Sequence, residues 1–150
     1  MLCTITVAFE VIRSWVQRYY PANMSERDLR EAALDLLAKL VEEYPIGFEP
    51  VLLWKRLRVS AGIANYAKRT IALSSILLTD EARMRDTLCH EYAHFIAFAR
   101  HGRSGAGHGP GWKSAMIELG LLPEVHHCYS VCRNVPRQEI AYVFARCNAV

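Results

Sequence analysis

The stretch that organises this 150-residue chain is Asp86-Thr87-Leu88-Cys89-His90-Glu91-Tyr92-Ala93-His94-Phe95. It contains the pattern H-E-x-x-H, with His90 and His94 four residues apart. On an α-helix, residues with this spacing lie on one face, one turn apart, so both imidazoles can reach a single ion. Glu91 lies beside the pair, where a carboxylate can accept a proton from an activated water. The spacing therefore predicts the site of a zinc hydrolase, with His90 and His94 as zinc ligands and Glu91 as the base.

Length and composition favour a single folded domain, because 52% of the residues are hydrophobic and no low-complexity tract interrupts them. The apolar opening run lacks a basic leader and is broken by Glu10 and Arg13, unlike a signal peptide. No window reaches the roughly eighteen uncharged apolar residues of a membrane-spanning helix. We expect a soluble intracellular protein, cytoplasmic or nuclear, without a membrane partner.

Charge is distributed unevenly along the chain. Residues 1–50 carry five Lys or Arg against eight Asp or Glu, whereas residues 51–150 carry thirteen against seven. The motif therefore lies in the basic part of the chain. A basic face near the site fits an anionic partner such as nucleic acid, and an ordinary solvated surface fits the charge equally well.

Two helices are predicted ahead of the motif. Apolar residues at steps of three and four predict a helix over residues 2–20, which either packs in the core or docks on the rest of the chain. Ser25, with Asp28 three residues later, has the spacing of a capping box and predicts the start of a second helix. The turn at residues 45–47 closes that helix.

From residue 48 the pattern changes to short β-favouring runs separated by turn residues. These runs are Val51–Val59, Gly62–Tyr66 and Thr70–Leu73. They predict a small antiparallel sheet, and the fold class is therefore α+β, with helices packed on that sheet.

Basic side chains and two aromatic rings, Trp54 and Tyr66, accompany the predicted strands. Exposed rings between positive charges can stack nucleic-acid bases, but we favour packing of both rings in the core. The residues that we predict as DNA or substrate contacts are Lys55, Arg56, Lys68, Arg69, Arg103 and Lys113.

The motif helix is predicted to begin at Thr79 or Asp80, to run to about Arg100 and to be capped by Gly102. One apolar face is predicted to be buried, formed by Met84, Leu88, Tyr92, Phe95 and Ala99. Five glycines between residues 102 and 111 allow the chain to turn back over this helix. That return places His108 just before Pro110, which fits the first turn of a helix over about residues 110–119.

A catalytic zinc takes three protein ligands and leaves one position open, so a third ligand is required. The metzincin spacing would place Gly at position 97 and His at position 100, where this chain has Ala97 and Arg100. We favour His108, because the glycine-rich loop is suited to return it to the helix. Glu118, on the following helix, is the second choice, and His101 is one residue out of register.

Four motifs in this order resemble the SprT-like family of zinc metalloproteases, which includes Spartan-type DNA-dependent proteases. They are Asp86–His94, the sequence H-G-P-G-W-K at 108–113, S-A-G-I-A at 60–64 and I-A-L-S at 71–74. The resemblance covers roughly residues 25–147. It implies a zincin-like α+β domain with Zn²⁺ on His90, His94 and His108, Glu91 as base, and a protein substrate often attached to or near DNA.

The resemblance also implies three parts: an N-terminal helical segment (1–24), an SprT-like protease domain (25–125) and a C-terminal tail (126–150). Many members of the family carry a four-cysteine zinc ribbon after the protease domain. The tail here has Cys128, Cys132 and Cys147 but no final C-x-x-C pair, which makes any ribbon incomplete.

The predicted function is zinc-dependent hydrolysis of peptide bonds, acting on DNA-associated or DNA-crosslinked proteins. Glu91 takes the proton from water and passes it to the leaving amine. Arg100, Arg103 and the loop amides are the candidates for stabilising the carbonyl oxygen. The alternative is a non-catalytic module on a zincin scaffold that binds DNA or protein.

Overall fold

The computed structural model describes residues 25–125. In chain order these residues form helix α1 (Glu26–Glu43), strands β1 (Val51–Lys55), β2 (Gly62–Asn65) and β3 (Thr70–Ser74), helix α2 (Glu81–His101), a short 3-10 helix (Gly102–Gly105) and helix α3 (Pro110–Glu118). The predicted α+β class is confirmed. The predicted helix over residues 2–20 and the three tail cysteines lie outside the described residues.

The helix ends follow the local sequence signals. Ser25 Oγ accepts a hydrogen bond from the Asp28 amide at 3.2 Å, and the Asp28 carboxylate accepts one from the Ser25 amide at 3.1 Å. This is the predicted capping box. Asp80 caps α2 by accepting a hydrogen bond from the Arg83 amide at 2.9 Å, and Gly102 ends the helix with a φ of 60°. The predicted bounds of α1, α2 and α3 are thus confirmed to within one or two residues.

The prediction of an antiparallel sheet is wrong for one of its two strand pairs. The strand order is β1-β3-β2, in which β2 pairs antiparallel with β3 but β1 pairs parallel with β3, from Val51 opposite Thr70 to Lys55 opposite Ser74. The sheet is therefore mixed. Residues 56–61 carry the chain across from β1 to the far side of β3, where β2 forms the edge.

Burial explains why β3 is the central strand. Its residues Ile71, Ala72 and Leu73 are all buried, whereas β1 and β2 are only partly buried. The backbone N–H and C=O groups of a buried strand must be paired on both of its edges. Within residues 25–125 the two partner strands come earlier in the chain, and β1 pairs with β3 across a crossover.

Ser74 determines where β1 ends. This fully buried side chain donates a hydrogen bond to the Leu57 carbonyl at 2.6 Å and accepts one from the Leu77 amide at 3.0 Å. The carbonyl of Leu57 is therefore directed at Ser74 and is no longer part of a strand ladder. For this reason β1 stops at Lys55, although β-favouring residues continue to Val59.

Helix α2 is the central element of the fold. It contacts α1, α3, the 3-10 helix, β2 and β3. Its middle, from Glu91 to Ala97, is buried around the whole circumference rather than on one face. Ala99, which was predicted to be buried, is exposed because α2 extends past its neighbours there. Within residues 25–125 no helix has the length and apolar character needed to cross a membrane.

Candidate active site

His90 and His94 occupy adjacent turns of α2, with ring centroids 5.2 Å apart. His94 is buried, with 8% of its surface exposed, and His90 is partly buried. The helix lies between α1, α3 and the sheet, which holds both imidazoles in a protein environment of low polarity. The predicted arrangement of the two histidines on one helix face is confirmed.

His108 reaches the same point from the glycine-rich return. Its Nε2 lies 3.1 Å from Nε2 of His90, and its ring centroid lies 4.7 Å from that of His94. One ligand nitrogen from each of the three histidines falls within 4.8 Å of the other two. The structure therefore brings together the three side chains that the sequence singled out.

Two glycines allow this return. Gly105 packs directly on α2, and a Cβ at this position would overlap the carbonyl oxygen of Ala97. Gly107 has a φ of +81°, a conformation that side chains with a Cβ rarely adopt. The loop can therefore approach the helix backbone and turn sharply just before His108.

Trp112 supports all three histidines. The side chain is fully buried, and its ring centroid lies 4.8 Å from that of His90, 5.6 Å from that of His94 and 4.5 Å from that of His108. Its indole N–H donates a hydrogen bond to the His90 carbonyl at 3.3 Å. Trp112 therefore packs the loop that carries His108 against α2.

The donor set fits a zinc ion. Zinc bound by imidazole has Zn–N distances of about 2.0–2.1 Å, which places two nitrogens of a tetrahedral site about 3.3 Å apart. The 3.1 Å between the His90 and His108 nitrogens is close to that separation. Among residues 25–125 the cluster consists of these three histidines, and three imidazole nitrogens could hold a metal ion.

Burial keeps the His94 imidazole neutral. Burial and, to a smaller extent, the neighbouring His90 and His108 rings lower the pKa of His94 to about 4, while the backbone of Gly107 acts in the opposite direction. A neutral imidazole is the form that binds metal. Nδ1 of His94 is buried and has no hydrogen-bond partner within residues 25–125.

Glu91 is buried beneath strand β2, with 7% of its surface exposed. Burial raises the pKa of its carboxyl to about 7, and the backbone N–H of Ala64 acts in the opposite direction. A cation held by the histidines would also favour the carboxylate. Glu91 thus lies beside the three histidines, with its carboxyl facing the edge strand β2.

Gly62 makes the room that Glu91 needs, which was not predicted from the sequence. A Cβ at this position would lie 2.6 Å from Cγ of Glu91 and 2.8 Å from Cγ2 of Thr87. The S-A-G-I-A run marked this glycine only as part of a motif. The missing side chain matters because β2 crosses α2 at the level of Glu91.

The second-choice metal ligand, Glu118, is engaged elsewhere. Both of its carboxylate oxygens accept hydrogen bonds from the guanidinium of Arg100, at 2.6 and 2.9 Å. This pair joins the end of α2 to the end of α3. Arg100 is therefore also directed at Glu118, which weakens its candidacy as a donor to a reacting oxygen.

Cys89, next to His90, is a buried core residue. Burial raises the pKa of its thiol to about 12, so the thiol stays protonated at neutral pH. It is not part of the histidine cluster.

The basic residues predicted to contact DNA or substrate lie on several elements of the fold. All six are exposed: Lys55, Arg56, Lys68, Arg69, Arg103 and Lys113. Lys55 pairs with Ser74 at one end of β3, whereas Arg69 precedes Thr70 at the other end, roughly 13 Å away for strands of this length. The sheet therefore carries two separate basic ends.

The two aromatic rings near these residues are packed inward, as we favoured. Trp54 and Tyr66 are both partly buried against the core. Tyr66 stacks on Phe98 with centroids 4.5 Å apart and meets Phe95 edge-on at 5.7 Å. The face of Trp54 is covered by the guanidinium of Arg30 at 5.4 Å.

Comparison with known proteins agrees with the resemblance to the SprT-like family. The profile of the SprT-like family matches residues 33–133. Protein SprT of Klebsiella pneumoniae is 35% identical over 99 residues, which cover 65% of this chain and 57% of that protein. Protein SprT of Escherichia coli K12 is 36% identical, covering 65% of this chain and 58% of that protein.

A eukaryotic protein is also similar. Germ cell nuclear acidic-1 protein of Caenorhabditis elegans is 35% identical over 87 residues, 53% of this chain and 16% of that protein. The chain thus spans less than two thirds of each of these relatives. No solved structure matches it.

Proposed function

Because the chain belongs to the SprT-like family, we propose that it is a zinc-dependent endopeptidase. The observation that carries this proposal is the cluster of His90, His94 and His108 with the buried Glu91 carboxyl beside it. A histidine triad that leaves a fourth position open, next to a carboxylate, is suited to hydrolysis rather than to structural metal binding.

His90, His94 and His108 would hold the zinc ion. When bound, zinc would lower the pKa of water towards about 7 and polarise the carbonyl of the scissile peptide. Burial favours the neutral imidazole of His94, and the Trp112 ring packs against all three histidine rings. The protein thus supplies a preformed, largely buried set of ligands.

Glu91 would move the proton. Its carboxyl accepts the proton from the attacking water and delivers it to the nitrogen of the leaving amine as the C–N bond breaks. The close approach of Gly62 and the Ala64 amide restricts the orientation of this carboxyl. A fixed carboxylate transfers protons more effectively than one that must first be ordered.

We assign as substrate a protein held near DNA. The support is the excess of positive charge over residues 51–150 and the exposure of the six basic side chains named above. These charges would contact phosphates without reading sequence, and binding would weaken as salt is raised.

The test is the substitution Glu91→Gln in the full chain. We expect the variant to keep one zinc per chain but to lose cleavage of a DNA-binding protein, measured with and without single-stranded DNA. The expected decrease in rate is at least about 100-fold, as for other general bases. A chelator should abolish cleavage by the unaltered protein.

Glu118→Gln is the matched control, because it makes the same chemical change at a carboxylate outside the cluster, and it should cleave normally. Normal cleavage by Glu91→Gln would remove the role given to Glu91. If the unaltered, zinc-loaded protein binds DNA and cleaves nothing, the protein is a binding module on this scaffold and not a protease.

A further inference from the structure

The proposed reaction needs a donor for the carbonyl oxygen, which gains negative charge as water attacks. Fixed hydrogen-bond donors at that oxygen are among the largest contributions to catalysis. Arg100 is bound to Glu118 through both of its terminal nitrogens, and Arg103 lies on the exposed 3-10 helix. A neutral hydrogen-bond donor that lies closer to Glu91 than these two arginines would be better placed to contact the carbonyl oxygen.

Tyr66 reaches the site because β2 and the residue after it run along α2. Gly62 contacts Glu91 and Thr87, and the amide of Ala64 faces Glu91. Two residues further on, the ring of Tyr66 contacts Phe95 and Phe98. Tyr66 thus follows the end of β2 and packs on α2 at the turn from Phe95 to Phe98, which is the turn after Glu91.

The ring of Tyr66 is held in one orientation. It stacks on Phe98, with an interplanar angle of 21°, and meets Phe95 edge-on at 82°. The residue as a whole is only partly buried. A ring clamped in this way holds its hydroxyl without the entropy cost that a long flexible side chain would have.

Groups from both the glycine-rich loop and helix α2 act on the Tyr66 hydroxyl. Burial raises the pKa of Tyr66, the backbone N–H of Gly107 acts in the opposite direction, and the Glu91 carboxylate raises it again. The loop, through Gly107, and helix α2, through Glu91, thus both act on this hydroxyl. At neutral pH it is protonated and can donate a hydrogen bond.

We propose that Tyr66 is a catalytic residue whose hydroxyl donates a hydrogen bond to the oxygen of the scissile carbonyl as that oxygen becomes negative. The Tyr66 proton stays on the phenol throughout, and no bond to Tyr66 forms or breaks. This inference rests on the proposed peptidase function and names a further residue for the same reaction.

The experiment is Tyr66→Phe, which removes the hydroxyl and keeps the ring between Phe95 and Phe98. We expect kcat to fall about 100-fold, as when one donor to an oxyanion is removed, with KM nearly unchanged. Zinc content, zinc affinity and Tm should match those of the unaltered protein. Tyr44→Phe is the control, since its hydroxyl donates to the Glu118 carbonyl instead.

A second readout does not depend on turnover. A phosphinic peptide carries a tetrahedral group that resembles the transition state, whereas a cleaved product peptide does not. Calorimetry should show that Tyr66→Phe weakens binding of the phosphinic peptide by about the factor lost in kcat, while binding of the product peptide is unaffected.

The outcomes separate the two proposals. If the unaltered protein cleaves no protein, the proposed function fails and the role of Tyr66 fails with it. If the unaltered protein is active and Tyr66→Phe is equally active, only the role of Tyr66 is overturned. If Tyr66→Phe loses zinc affinity in proportion to its activity, Tyr66 merely supports the His108 loop, and the proposal is overturned as well.

Discussion

The three histidines of the cluster come from two regions of different construction, helix α2 and the segment 102–109. Helix α2 supplies His90 and His94 from adjacent turns of a buried, capped helix. The segment, in which four of eight residues are glycine, supplies His108 and is held on the helix by the fit of Gly105 and by Trp112. The first two ligands result from the period of a helix, whereas the third results from packing.

This difference indicates where the site is vulnerable. A helix that is buried on all sides keeps His90 and His94 one turn apart under most substitutions. The segment keeps His108 in place only while Gly105 can touch the α2 backbone and Gly107 can hold its positive φ. Three predictions test this comparison, and the largest effect comes first.

Removing one ligand from either region should be equally damaging to metal binding. His94→Ala and His108→Ala should each weaken zinc affinity more than about 100-fold, since loss of even an indirect partner of a ligand costs about 10–100-fold. Competition against a chelator of known affinity measures the effect.

His101→Ala is the control for this experiment, because His101 is exposed and lies outside the cluster. Its zinc affinity should remain that of the unaltered protein. If His108→Ala retained full affinity, the third ligand would have to be another residue.

Gly105→Ala should destabilise the packing of the segment. The added Cβ meets the Ala97 carbonyl, a backbone group that cannot move aside cheaply. Such overpacking costs about 1–3 kcal/mol in the free energy of unfolding. Urea denaturation and zinc titration measure the change in stability and the accompanying loss of affinity.

Gly109→Ala makes the same change four residues later, where the added Cβ meets nothing within 4 Å and φ is −73°. It should leave both stability and zinc affinity unchanged. Equal behaviour of the two variants would mean that the position of His108 does not depend on contact between Gly105 and the helix.

The smallest effect is expected at Arg100 and Glu118, which join the ends of α2 and α3. Hydrogen bonds from Arg100 lower the pKa of Glu118, so the pair stabilises the fold at neutral pH. That contribution is lost as pH falls through the lowered pKa. Arg100→Gln should cost less than about 1 kcal/mol because the pair is exposed.

Urea denaturation of the Arg100→Gln variant at pH 7 and in acid measures this difference, which should vanish in acid. Zinc affinity should stay constant. A loss of zinc in this variant would place the ion pair within the support of the metal cluster.

Much of the fold was predictable because its signals are local. The capping box at Ser25, the cap at Asp80 and the proline at the start of α3 each act through hydrogen bonds or dihedrals within a few residues. The spacing of His90 and His94 is local in the same sense. His108 was predictable because glycines marked a sharp return.

The errors concern relations between distant segments. The parallel pairing of β1 with β3 depends on which strand is buried on both faces, and the end of β1 depends on Ser74, seventeen residues after Leu57. The placement of Lys55 and Arg69 at opposite ends of the sheet likewise follows from the strand order, which joins segments distant in sequence.

The sequence by itself determined the helices, their caps and the pair of histidines one turn apart, because helix periodicity and capping depend on neighbouring residues alone. Only the tertiary structure decided that Gly62 makes room for Glu91, that Gly105 meets Ala97 and that the Tyr66 ring is clamped beside the base. These contacts join residues that are 8 to 32 positions apart along the chain. Their geometry exists only once β2 and the glycine-rich segment have packed on α2.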